Sequence, residues 1–152
     1  MIRSRKRMAA CICLLCVNLC FIWGNSLLPG EISGAISGWL RNLIAGLFGG
    51  QEGPDTGHGL LRKLAHFTEF SCLGLLFCWF WGMLRRKKWP LWSLLCGIAV
   101  ASIDETIQCF VPDRGPAIKD VGIDTLGVCL GIVIIYSIRK QKQSKYLEEN
   151  KL

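Results

Sequence analysis

Four apolar runs, each near the length that crosses a bilayer and set apart by blocks of cations, constrain this chain more than any other feature. The runs occupy residues 8–28, 64–84, 91–111 and 121–138, and about 20 apolar residues suffice for a transmembrane helix. A soluble fold would have to hide all four within 152 residues. Hydrophobic residues make up 51% of the chain and charged residues only 19%, where soluble domains carry roughly 25% charged residues. The charges are bunched rather than interleaved, which excludes a basic nucleic-acid module and so a nucleic-acid partner. The sequence predicts an all-α integral membrane bundle of four transmembrane helices, a single domain over residues 1–152 with a basic tail at 139–152.

Cation placement supplies the orientation. Arg3, Arg5, Lys6 and Arg7, then Arg85, Arg86, Lys87 and Lys88, then Arg139, Lys140, Lys142, Lys145 and Lys151 fall on one side, thirteen of the eighteen cations. By the positive-inside rule both termini are cytoplasmic, in a multi-pass protein of the cell membrane. Arg41, Arg62, Lys63, Arg114 and Lys119 are then extracytoplasmic. The net charge of +7 is on this reading a topological signal and implies no acidic partner. The first run starts like a signal peptide, but Asn25-Ser26-Leu27-Leu28-Pro29 is a poor cleavage site, so the run is expected to stay as an anchor.

The nine cysteines do not describe a disulfide scaffold. All except Cys109 lie within apolar stretches, where a thiol packs as a small hydrophobe. Cys11-x-Cys13-x-x-Cys16 has no His or acid beside it and reads as packing.

Between the first two runs, Ile32, Ile36, Trp39, Leu40, Leu43, Ile44 and Leu47 recur at helical spacing among Ser33, Gly34, Ser37, Arg41 and Asn42. This predicts an extracytoplasmic amphipathic helix in contact with membrane lipids or lying over the bundle. The glycine-rich residues 49–57 that follow read as a loop with no phosphate-binding pattern.

Ionisable groups inside the spans are the functional signal, since each costs about 2.5–3.5 kcal/mol at a helix centre on insertion scales. Lys63, His66 and Glu69 recur at three-residue steps. Asp104, Glu105 and Gln108 close the third run; Asp120 and Asp124 open the fourth, continued by Gly127 and Gly131. With Arg114 from the short loop before the fourth run, all are expected in the outer half of the membrane, forming one polar pocket. The bland reading is interhelical glue, worth about 0.6 kcal/mol per group, with the two glycines as a contact. Five carboxyl groups, a His, a Lys and an Arg exceed what glue requires, while Lys63 and Asp120 are also placed where side chains snorkel.

Lys63-x-x-His66-Phe67-x-Glu69-Phe70-x-x-Leu73-Gly74, Asp104-Glu105-x-x-Gln108-x-Phe110-x-Pro112-x-Arg114 and Asp120-x-x-x-Asp124-x-x-Gly127-x-x-x-Gly131 together resemble the VanZ-like family of small bacterial membrane proteins, and Ser26 and Pro29 resemble its first-helix exit. The resemblance implies a cell-envelope role, the namesake being linked to low-level resistance to the glycopeptide teicoplanin, but it implies no established activity.

Three functions follow as expectations. In the first, the pocket binds or modifies a lipid-linked cell-wall precursor or glycopeptide-related molecule, with Lys63, Gln108, Arg114 and Asp120 as binding residues. In the second it is a membrane enzyme with His66, Glu69, Asp104, Glu105 and Asp124 as catalytic candidates. Such an enzyme either uses a divalent metal on His66, Glu69, Asp104 and Asp124 or uses His66 as a base oriented by Glu69. The third is a small transporter or a structural partner, helped by homo-oligomerisation through Gly127 and Gly131.

Overall fold

The computed structural model describes residues 2–48, 58–115 and 117–150; the predicted loop at 49–57 lies outside them. Its elements are α1 (Ile2–Ser26), α2 (Gly30–Phe48), α3 (His58–Met83), α4 (Trp89–Gln108) and α5 (Ile118–Glu149). Four stretches are long and apolar enough to cross a membrane, Ser4–Ser26, Leu60–Met83, Trp89–Gln108 and Ile118–Glu149. The helices overrun the apolar runs where Lys, Arg, Gln and Glu, all good helix formers, continue them. α5 continues through Arg139, Lys140, Lys142 and Lys145 to Glu149, so the described part of the basic tail is helical. α1 and α4 instead stop short of the predicted 28 and 111, where Pro29 and the turn at 109–113 intervene.

The bundle is apolar outside and mixed inside, the arrangement that lipid selects. Phe21, Leu126, Val133 and Leu91 face outward, while Cys11, Leu15, Ile22, Phe70, Leu73, Val100, Ala101 and Val128 make the core. α3 is central: it touches α1, α2, α4 and α5, and its contact with α5 is the most extensive. Glycine makes that contact possible. A Cβ on Gly127 would lie 2.5 Å from the Phe67 carbonyl oxygen, one on Gly131 2.5 Å from that of Ser71, and one on Gly74 2.5 Å from that of Val128. The glycine stripe expected to join two copies is thus occupied within one chain, where it lets two backbones touch.

α2 is the predicted amphipathic helix. It turns Ser33 inward and leaves Ile32, Ile36, Trp39, Leu43 and Leu47 exposed. An apolar stripe directed away from the protein fits a helix lying in a lipid interface. α2 is pinned at its start, where the Gly30 amide donates to the Pro112 carbonyl at 3.1 Å and any Cβ on Gly30 would collide with the Asp113 carbonyl. At the other end of the bundle the Arg139 guanidinium sits 4.3 Å from the Trp89 ring centroid and donates to the Cys78 carbonyl at 3.4 Å, tying α5 to α4 and α3.

Candidate functional site

The end of α1, the first half of α3, the last turn of α4 and the first turns of α5 meet at one end of the bundle. With a rise of 1.5 Å per residue, His66 lies about 9 Å inside the span that begins at Leu60, and Asp124 about 9 Å inside the one that begins at Ile118. Asp104 is one turn from the end of α4. These groups share one level near one end of the bundle, one to two helical turns in from the ends of their helices.

Two small networks hold them. In the first, Gln108 Nε2 donates to Asp104 Oδ2 at 2.8 Å and is 3.2 Å from the Ser26 hydroxyl. His66 Nδ1 is 3.8 Å from the same Asp104 oxygen. Asp124 closes this group from α5: one ligand-type atom from each of His66, Asp104 and Asp124 falls within a 4.8 Å set. In the second, Asn25 Nδ2 donates to Glu69 Oε1 at 3.0 Å, and the Asn25 carbonyl accepts from Arg114 Nη2 at 3.0 Å. Asp113, in the left-handed region at φ 59°, a conformation that Asp tolerates better than most residues, turns the loop so that Arg114 points back into the bundle.

The periphery is more open. Lys63 Nζ lies 3.5 Å from Asp120 Oδ1, with Lys63 partly exposed. Glu105 Oε2 accepts from the Ala117 amide at 2.9 Å, fastening the end of α4 to the start of α5. A cavity of about 10 Å³, room for about one water-sized group, lies among Arg62, Lys63, His66, Glu105, Gln108, Asp120, Ile123 and Asp124. A second, larger groove of about 360 Å³ runs between α2 and α3, lined by Asn25, Ser33, Ile36, Ser37, Leu40, Leu61, Arg62, Leu64, Ala65 and Thr68. Arg62 lines both.

Not every buried polar atom finds a partner in the protein. His66 Nδ1, Glu69 Oε2, Asp104 Oδ1, Glu105 Oε1 and two Arg114 nitrogens make no hydrogen bond with it. Burial, reinforced by Arg62, pulls the Arg114 guanidinium below its ordinary pKa, while Asp104 and Glu105 oppose that shift. Arg114 nevertheless keeps its charge, because a guanidinium starts so far above neutrality.

The structure brings together His66, Asp104, Gln108 and Asp124, pairs Lys63 with Asp120, and sets Glu105 at the rim. It separates two groups expected to act together. Glu69 is held by Asn25, and the acid facing His66 is Asp104, so Glu69 does not orient His66 and lies outside the three-residue set. Arg114 donates to a backbone carbonyl rather than to a carboxylate of the described residues. The reading of the spans passed over Asn25 and Arg62 and used Ser26 only as a helix-exit mark. Their signals were an Asn-Ser pair closing an apolar run just before Pro29 and a second cation beside Lys63.

An uncharacterized protein of Schizosaccharomyces pombe is 29% identical over 83 residues, which cover 55% of this chain and 51% of that protein. The chain thus spans about half the length of the curated relative it matches. No solved structure matches. The sequence pattern of the VanZ/LLP1 family matches residues 9–139, a range that takes in every helix of the site, and the chain belongs to that family.

Proposed function

We propose that this membrane protein binds, and acts on, a lipid-linked anionic molecule of the cell envelope, taken up from the outer leaflet at the polar end of the bundle. The observation that carries the reading is that Arg62 lines both cavities. The groove between α2 and α3 offers Ile36, Leu40, Leu61 and Leu64 to a hydrocarbon chain. The cavity beyond Arg62 offers charged groups to a headgroup. A lipid lying with its tail in the groove would bring its phosphate to Arg62, close to Lys63, and its polar head towards His66, Gln108 and Asp124. Arginine suits the phosphate through its planar fork of donors.

The outer-leaflet assignment follows from the cation asymmetry, which puts this end of the bundle away from the cytoplasm. The apolar stripe of α2 would anchor the rim of the groove in that leaflet.

Mass spectrometry of lipids that co-purify with the protein in mild detergent tests this. A polyprenyl- or acyl-linked phosphate should be enriched over its share of the membrane and lost in Arg62→Glu and in Leu40→Trp, which fills the groove. Cells carrying these variants should also lose any change in sensitivity to teicoplanin that the wild-type chain confers. Co-purified lipid that matches bulk membrane, unchanged by either substitution, would refute the reading.

A further inference from the structure

We propose that His66, Asp104 and Asp124 form a binding site for one divalent transition-metal ion. The three side chains come from α3, α4 and α5, and each is more than nine-tenths buried, with exposures of 7%, 0% and 2%. They offer one nitrogen and two carboxylate oxygens within 4.8 Å of one another. Proximity of acids alone would carry little, but two further observations point at an ion.

The first is a distance. His66 Nδ1 and Asp104 Oδ2 are 3.8 Å apart, too far for a hydrogen bond, which ends near 3.2 Å. Two ligands that each sit about 2.1 Å from a shared ion are separated by at most about 4.2 Å. The pair lies within that limit; tetrahedral ligands at this bond length stand about 3.4 Å apart, so the set, spread over up to 4.8 Å, would contract by roughly 1 Å at its widest on binding. The second is satisfaction. His66 Nδ1 and Asp104 Oδ1 are buried with no hydrogen-bond partner in the protein, while Asp104 Oδ2 is held by Gln108 at 2.8 Å. Gln108 thus fixes the orientation of the Asp104 carboxylate, whose Oδ2, the oxygen 3.8 Å from His66 Nδ1, keeps a second lone pair and whose Oδ1 is unpartnered, as when a neighbouring donor orients a metal ligand.

The donor set selects the kind of ion. An imidazole nitrogen disfavours calcium and magnesium, which take oxygen, and suits zinc or manganese with carboxylates beside it. Three protein ligands leave a coordination position open, and the cavity of about 10 Å³ against His66 and Asp124 has room for one water or one phosphate oxygen there.

Such an ion also resolves a conflict in charge. Were Glu69, Asp104, Glu105, Asp120 and Asp124 all ionised, they would outnumber Arg62, Lys63 and Arg114, and the site would repel an anionic headgroup. A divalent cation between Asp104 and Asp124 cancels two negative charges where the headgroup would arrive. This last role rests on the lipid reading; the ion site itself rests only on the three side chains.

The test uses the full chain purified in detergent, treated with EDTA, and titrated separately with Zn²⁺, Mn²⁺ and, as a spectroscopic stand-in, Co²⁺. Bound metal is counted by inductively coupled plasma mass spectrometry after desalting. We expect one ion per chain, visible Co²⁺ bands characteristic of nitrogen and oxygen ligation, and a higher unfolding temperature on reloading. Asp124→Asn and His66→Gln should each weaken binding by about 100-fold, on the order of what loss of an ordering partner alone can cost. Glu69→Gln should bind as the wild type does, because Glu69 lies outside the three-residue set. Helical circular dichroism shows whether each variant has folded, and the wild-type Co²⁺ spectrum decides the matter should both ligand variants unfold. Substoichiometric uptake by the wild type, or equal uptake by folded Asp124→Asn, overturns the proposal. Failure here with specific lipid retained would leave the lipid reading standing, and the converse would leave the ion site standing.

Discussion

Replacing Gly131 and Gly122 with alanine, one at a time on the same helix, should give effects of opposite sign. At Gly131 the added Cβ would lie 2.5 Å from the Ser71 carbonyl oxygen and 2.7 Å from the Leu75 amide nitrogen. Both are backbone atoms and cannot rotate away. Ordinary contact begins at 3.4 Å, so α5 must lift from α3 by about 0.9 Å. A gap of 0.5–1 Å forfeits a quarter to a half of the dispersion well of each facing atom pair, and overpacking in a tight interior costs about 1–3 kcal/mol. At Gly122 nothing lies within 4 Å, and alanine is the better helix former by up to about 1 kcal/mol. That propensity gain applies at Gly131 as well and cancels in the comparison, so the two variants should differ by the overpacking cost, about 1–3 kcal/mol, in reversible unfolding followed by far-ultraviolet circular dichroism in mixed micelles. Equal stabilities would refute the backbone contact between α3 and α5. Loss of a dimer with no loss of monomer stability would instead place the stripe between two copies.

Arg114→Ala should cost about 1–3 kcal/mol by thermal unfolding, because it removes the shorter of two hydrogen bonds to the Asn25 carbonyl, leaving the Leu28 amide at 3.3 Å, and takes a cation from beside Asp104 and Glu105. Lys63→Ala should cost less than about 1 kcal/mol, since its partner Asp120 is 3.5 Å away and Lys63 is partly exposed; equal losses in the two would contradict the difference in burial. Glu105→Ala should release the start of α5. Hydrogen exchange at the Ala117 amide, which Glu105 holds at 2.9 Å, should rise by more than tenfold while Val128 in the core stays protected, and a uniform rise would show global destabilisation instead.

The sequence displays the membrane spans openly because hydropathy is a property of each residue in place. The same holds for the level of the polar groups: His66 and Glu69 on α3, Asp104 on α4 and Asp124 on α5 stand near span ends that the alternation of helices brings together. Pairing was not legible. Nothing in the spacing of His66 and Glu69, three apart on one helix, tells that His66 faces Asp104 across to α4 while Glu69 turns to Asn25 on α1. Rotation about the α3 axis decides this, and it is set by where Gly127 and Gly131 let α5 approach. Asn25 and Ser26 were hidden for another reason. Neutral polar residues at the end of an apolar run are ordinary, and only the neighbours that fold against them make them part of a site. For α2 the apolar stripe was plain but its direction was not, since an apolar face serves a protein core and a lipid interface equally well.

The glue reading of the polar residues can be weighed by magnitude. Interhelical polar contacts in membranes contribute about 0.6 kcal/mol each on average, and this end of the bundle makes only a few. Against them stand unpartnered atoms on His66, Glu69, Asp104, Glu105 and Arg114, and leaving a buried donor or acceptor unsatisfied costs about 1–3 kcal/mol. A network whose only task was to join helices would lower stability on that balance, and Ser, Thr or Asn would serve the task without buried charge. A single water in the cavity of about 10 Å³ could satisfy two to four atoms, but it would leave the carboxyl groups uncompensated. A cation satisfies both demands, supplying positive charge and filling several lone pairs at one point. On the proposed reading, the acids at this end of the bundle supply one half of a site whose other half is bound from outside the chain.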